Sequence, residues 1–119
     1  MNMEKKFAIT KKVTVQRITI YLHGELDLSV APEMRADLEP YINQGDRELV
    51  LNLEGLTYID STGIGIIILI LKQRDSIHAT FRVEDIPPSI NRLFELTGIT
   101  QYLVTDNMES KQERNGEII

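Results

Sequence analysis

The sequence predicts an α/β domain in which a mixed β-sheet carries helices packed against it. Three observations lead there. Short runs of β-branched and aliphatic residues alternate with stretches whose apolar residues recur at helical spacing. The helical stretches are bounded by capping and breaking residues. The length of 119 residues suits one domain with its own core, and no internal repeat is visible.

Phe7 to Thr14 and Arg17 to His23 alternate apolar and polar positions (Val13, Val15; Ile18, Ile20, Leu22), which predicts a hairpin or two neighbouring strands. Gly24-Glu25-Leu26-Asp27 closes that block. Ser29 is the expected N-cap of a first helix, with Pro32 in its first turn. Met34, Leu38, Tyr41 and Ile42 then repeat at helical spacing up to Gly45. Glu48 to Leu53 reads as a short strand covered on both faces.

Leu56 to Ile59 leads into Asp60-Ser61-Thr62-Gly63-Ile64-Gly65, followed by Ile66-Ile67-Ile68-Leu69-Ile70-Leu71. Propensity alone makes the apolar run a strand. Its flanks argue for a helix: Asp or Ser before the run is an N-cap signal, and Lys72-Gln73-Arg74 suits a helix C-terminus. Ile64, Ile67, Ile68 and Leu71 also share one helical face. The prediction is therefore a helix from Ser61 or Thr62 to about Asp75. Thr80 to Glu84 is a further strand. Pro87-Pro88 opens a helix carrying Ile90, Leu93, Phe94 and Leu96, ended by Gly98. Tyr102-Leu103-Val104 reads as a last extended piece, and the polar residues after Asp106 as a solvated helix or a loose tail.

Composition narrows the function. The net charge is −5, against the basic surface that nucleic acid requires. There are no cysteines, which removes thiol nucleophiles, thiolate metal sites and disulfides. The N-terminus has no apolar h-region, and the run from Ile64 to Leu71 is far shorter than a membrane span. A soluble, cytoplasmic domain with no membrane partner is expected.

The chemistry gathers at the start of the long helix. Ser61, as a cap, would face the unpaired N–H groups of the first turn. Gly63 and Gly65 would let a partner or a nucleotide approach the backbone, and a helix N-terminus tolerates a phosphate. A plain cap with packing glycines explains the same residues. A nucleophile elbow and a P-loop are absent, and Asp60 is one residue too far from Gly63 for an Asp-Ser/Thr-Gly protease signature. A phosphoacceptor Asp60 would want further carboxylates and a nearby lysine; Asp27 is a candidate for one, but the strand Thr80 to Glu84 ends in acid rather than lysine. His23 and His78 stand alone, so no metal or cofactor is expected. Asp27, with Glu25, lies in a strand-to-helix loop that an α/β sheet can bring beside Asp60. That makes either one acidic surface containing Ser61 or ordinary turn acids.

The segments GELD (Gly24 to Asp27), LTYIDSTGIG (Leu56 to Gly65) and INRLFELTGI (Ile90 to Ile99) occur in this order and spacing. Together they resemble the STAS-domain anti-sigma factor antagonists of bacteria, over Phe7 to Val104. The resemblance implies the STAS fold, a mixed sheet with helices on one side. It makes residues 1–119 a single STAS domain, with its core about 7–105 and a polar tail or short helix over 106–119. It implies a regulatory binding protein, not an enzyme, with no catalytic residue. The unphosphorylated form would bind an anti-sigma factor that is also a serine kinase, and so free a sigma factor. That kinase would use ATP to phosphorylate Ser61 and break the complex, and a PP2C-type phosphatase would reverse it. Asp27, Asp60, Thr62, Gly63, Gly65 and Ile66 would form the partner surface. Two departures stand out. Leu69 and Ile70 are bulky where the family often has small or polar residues, which suggests a larger hydrophobic contact, such as a homodimer. Ser76-Ile77-His78 replaces a glycine-containing turn. The alternatives are a STAS subunit of a lipid-transport or transporter complex, against which the intact Asp60-Ser61-Thr62-Gly63 speaks, and a small enzyme or nucleotide-binding domain.

Overall fold

The computed structural model of the chain describes residues 6–99. Strands β1 (Phe7–Val13) and β2 (Arg17–Leu26) form an antiparallel hairpin. Its turn is closed by Thr14, whose N–H donates to Arg17 O (2.8 Å) and whose Oγ1 accepts from Arg17 N (3.0 Å). Helix α1 (Ala31–Ile42) crosses to β3 (Glu48–Ile59), which lies parallel to β2. Helix α2 (Ser61–Ser76) crosses to β4 (Phe81–Glu84), parallel to β3, and α3 (Pro88–Thr97) follows. The sheet order is β1-β2-β3-β4, the mixed sheet that the sequence predicts.

All three helices share one core. Ile18, Ile20 and Leu22 of β2 and Leu49, Leu51 and Leu53 of β3 pack in one buried cluster with residues of α1, α2 and α3. Alternate positions of the same strands carry a charged layer on the other face. There Glu48 accepts from Arg17 Nε (2.9 Å) and pairs with Arg82, and Asn52 Nδ2 donates to Glu84 and Asp85. The unbroken buried run of β3 thus has two different covers, helices on one side and long polar side chains on the other. Because the crossovers are parallel, the C-terminal ends of β2, β3 and β4 lie at one end of the sheet with the N-termini of α1, α2 and α3.

Several expectations need correction. The strand expected to stop at Leu53 runs on to Ile59, because register shifts in the β2–β3 ladder absorb its irregular middle. At Gly55 a Cβ would lie 2.5 Å from His23 Nδ1. Ser29 does not cap α1: the N-cap is Val30, without a side-chain bond, because Ser29 Oγ donates to Asp27 Oδ1 (2.7 Å). Along α2 the buried residues are Gly63, Ile64, Ile66, Ile67, Ile70 and Arg74, whereas Ile68, Leu69 and Leu71 are partly buried. Ile70 is therefore a core residue, not part of an outward apolar surface. On α3 only Ile90 and Phe94 are buried, and Leu96 is 76% exposed. Gly98 ends α3 in the left-handed conformation (φ 82°), as predicted. His78 takes φ 57° in the turn after α2, the backbone shape a glycine would supply more cheaply. The strand expected at Tyr102 to Val104 and the tail after Asp106 lie outside the described residues.

Arg74, expected as a cation at the C-terminus of α2, lies in its last turn and is fully buried. Its Nη1 donates to Ile42 O (2.9 Å) and Gln44 O (3.2 Å), its Nη2 to Arg47 O (2.6 Å) and Thr80 O (2.8 Å), and its Nε to Thr80 O (3.2 Å). One guanidinium thus joins the end of α1, the approach to β3 and the approach to β4. Burial lowers its pKa, and the carbonyl dipoles compensate the charge that burial penalises.

Candidate functional site

The start of α2 is built by Asp60, not by Ser61. Asp60 is the N-cap, in extended conformation, and its Oδ1 accepts from Gly63 N (3.0 Å). Its Oδ2 accepts from Leu28 N (3.2 Å), and its own N–H donates to Leu26 O (3.2 Å). One residue therefore caps the helix and clamps the loop between β2 and α1. Ser61, relieved of the capping expected of it, is the first helical residue; it is exposed, and its hydroxyl has no partner among the described residues. Thr62 beside it is partly buried.

The two glycines do different work. A Cβ on Gly63 would lie 2.7 Å from Ile59 Cγ1, 2.8 Å from Leu26 Cγ and 3.0 Å from Leu26 O. Gly63 is buried and lets α2 start directly against the ends of β2 and β3. Gly65 is exposed, and a Cβ there would meet nothing within 4 Å. Gly63→Ala is expected to lose about 1–3 kcal/mol of stability through overpacking. Gly65→Ala is expected to gain about 0.5–1 kcal/mol, as alanine does in a helix interior. Urea unfolding of both variants checks the contrast. Of the residues expected at a partner surface, Gly63 and Ile66 face inward, so their side-chain positions offer little contact. Asp27, Asp60, Thr62 and Gly65 are exposed or partly so.

The clamp brings Asp27 to this same edge. Asp27 Oδ1 accepts from Ser29 N (2.9 Å) and Ser29 Oγ, and its Oδ2 pairs with Lys6 Nζ, which also donates to Ser29 Oγ (3.0 Å). The Lys6 hydrogen bond, then that of Ser29, holds the Asp27 carboxyl down at about 2 from its ordinary 3.8. Lys6 is shifted up, chiefly by the same bond. Because the folded value lies below the unfolded one, the stabilisation from Asp27 is complete above pH 3.8 and is lost as pH falls from there through about 2. A carboxyl-carbon NMR titration is expected to place the Asp27 midpoint near 2; a midpoint near 3.8 would mean that the Lys6 pair does not form.

Sequence reasoning did not include Lys6 in the site, nor two exposed apolar side chains near it. Leu28, 68% exposed, follows Asp27, and Tyr58, 50% exposed, pairs with Glu25 across the β2–β3 ladder. The only signal in the sequence was their position beside GELD and DSTG. Among the described residues there is no cluster of His, Cys, Asp or Glu able to hold a metal ion.

The comparisons with known proteins match this architecture. The STAS domain model matches residues 8–113. The anti-sigma-B factor antagonist of Listeria monocytogenes is 32% identical over 108 residues, covering 88% of this chain and 92% of that protein. The anti-sigma-B factor antagonist of Staphylococcus aureus is 37% identical over 76 residues, covering 64% of this chain and 70% of that protein. Among solved structures, the anti-sigma factor antagonist SpoIIAA in its unphosphorylated form superposes with a TM-score of 0.70 at 24% identity, over 94% of this chain and 99% of that one. The phosphorylated form of Bacillus SpoIIAA gives 0.65, also at 24% identity, over 90% and 98%. At that identity the solved structures establish the fold.

Proposed function

Because the chain belongs to the STAS-domain family, we propose that it is an anti-sigma factor antagonist whose unphosphorylated form binds an anti-sigma factor and frees a sigma factor. The anti-sigma factor doubles as a serine kinase, and phosphorylation of Ser61 ends the interaction. A PP2C-type phosphatase restores the unmodified serine. The observation that carries the reading is the division of labour at the start of α2: Asp60 does the capping, so the exposed Ser61 hydroxyl is free to be modified. The partner meets Asp27, Asp60, Thr62 and Gly65, with Leu28 and Tyr58 as apolar contacts beside them. Antagonists of this kind bind and are modified; they do not turn over a substrate. The reading puts the chain in the cytoplasm with its kinase; no described helix is long and apolar enough to cross a membrane.

The physical switch is small and local. A phosphate adds about −1.5 to −2 charge at pH 7. The helix N-terminus favours it by only ~0.3–1 kcal/mol, while Asp60 and an acidic group on the partner oppose it. The fold is left intact and the partner contact is lost. The test is intact-mass analysis after incubation with MgATP and the anti-sigma kinase of the same host. Wild type is expected to gain one phosphoryl group and Ser61→Ala none. Continued modification of Ser61→Ala at Thr62 would overturn the site. Stable binding without modification would indicate a constitutive antagonist, and neither binding nor modification would return the chain to the transport-subunit reading.

A further inference from the structure

Lys6 stands just ahead of β1, yet its ammonium is tied to the loop between β2 and α1 through Asp27 Oδ2 and Ser29 Oγ. That loop is clamped to the helix that carries Ser61. Asp60 N donates to Leu26 O, and Asp60 Oδ2 accepts from Leu28 N, one residue on either side of Asp27. Ser61 follows Asp60 directly. The ammonium and the Ser61 hydroxyl therefore belong to the same end of α2, and the carboxylates of Asp27, Glu25 and Asp60 all act on the charge of Lys6.

We propose that Lys6 is the positioning residue for a phosphoryl group on Ser61: after modification its ammonium leaves Asp27 and Ser29 and pairs with the phosphate. The proposal rests on the reading of Ser61 as the modified serine. A phosphate dianion carries nearly twice the charge of a carboxylate and offers three acceptor oxygens, and charge-assisted hydrogen bonds are the stronger kind. The Lys6 side chain is 42% exposed, and its four-carbon stem can re-aim without moving the main chain. No bond to hydrogen is broken, since the ammonium keeps its three protons and exchanges acceptors. Without Lys6 the phosphate would face Asp60, Asp27 and Glu25 with only the partial charge of the helix end in its favour. The exchange also gives the modification a second effect. Asp27 and Ser29 lose their cation, so the loop leading into α1 changes together with Ser61.

The test places phosphoserine at position 61 during translation, in the full chain and in its Lys6→Met and Lys6→Arg variants. Phosphorus NMR then follows the second phosphate ionisation with pH. Its midpoint is expected below the ordinary value of about 6 in the parent chain and in Lys6→Arg. In Lys6→Met it is expected to rise by about half a unit or more. At pH 7.5, where the phosphate is the dianion, a proton–phosphorus contact from the end of the Lys6 side chain to the phosphate is expected in the phosphorylated parent chain. An identical phosphate titration in Lys6→Met and the parent, or the absence of that contact at pH 7.5, overturns the proposal. Should Lys6→Met fail to fold, the proton–phosphorus contact in the parent chain decides alone. The phosphate is installed without the kinase, so failure of the kinase to modify Ser61 would count against the functional reading and leave this result standing.

Discussion

Arg74→Met is expected to cost about 3–5 kcal/mol of unfolding free energy, against a total of about 5–15 kcal/mol for a domain of this kind. Methionine fills much of the volume but donates nothing. Four carbonyls, those of Ile42, Gln44, Arg47 and Thr80, would lose the guanidinium together; Gln44 O and Thr80 O keep a backbone donor, Arg47 N and Leu49 N, so the full loss falls on Ile42 O and Arg47 O. Each buried acceptor left unmet costs about 1–3 kcal/mol, and water entering the gap recovers part of that. Arg74→Lys should fall between, because one ammonium cannot reach acceptors spread over the ends of three segments. Urea unfolding with a constant m-value would measure the loss. A loss under about 1 kcal/mol for Arg74→Met would mean that the guanidinium can be replaced by solvent.

The second large effect concerns binding. Ser61→Asp is expected to weaken the complex with the anti-sigma kinase about a hundredfold, equivalent to about 2.7 kcal/mol. Ser61→Ala is expected to bind within a few-fold of wild type and to stay bound in the presence of MgATP. One like-charge contact that becomes desolvated at the interface is sufficient for the loss. Both variants should melt within a few degrees of wild type, because Asp60 caps the helix whatever occupies the next position. Calorimetric titration and a thermal melt together check this. A Ser61→Asp chain that binds normally, or one that unfolds, would contradict the mechanism in different ways.

The hairpin, the mixed sheet and the glycine stop of α3 were legible because alternation and capping are local signals. The face of α2 was legible only in part: Ile64 and Ile67 are buried and Ile68 and Leu71 pack against the core, but Ile66 and Ile70 are buried as well. Apart from Gly65, every residue from Ile64 to Leu71 is apolar, so the run has no phase of its own. The phase is set by Gly63 at one end, which must lie against Leu26 and Ile59, and by Arg74 at the other. Neither constraint is visible without the elements they touch. Arg74 was legible as a last-turn cation but not as a buried one, because its acceptors include carbonyls up to 32 positions away. Ser29 and Ser61 were both expected as caps and neither is one, since a carboxylate nearby took the hydroxyl in one case and the capping in the other. The placing of Asp27 and Asp60 at one end of the sheet was foreseeable from parallel topology. The entry of Lys6 was not, because its partner lies 21 residues on.

Helix α2 is 16 residues long, and at about 1.5 Å per residue its two ends are roughly 20 Å apart. Beyond about 10 Å, changes with no shared partner act independently. The Arg74 end therefore governs how many folded copies survive proteolysis in a cell. On the proposed reading, the Ser61 end governs what share of those copies is engaged at a given moment. Dosage and signal sit on one helix as separate controls, and selection can retune either without disturbing the other.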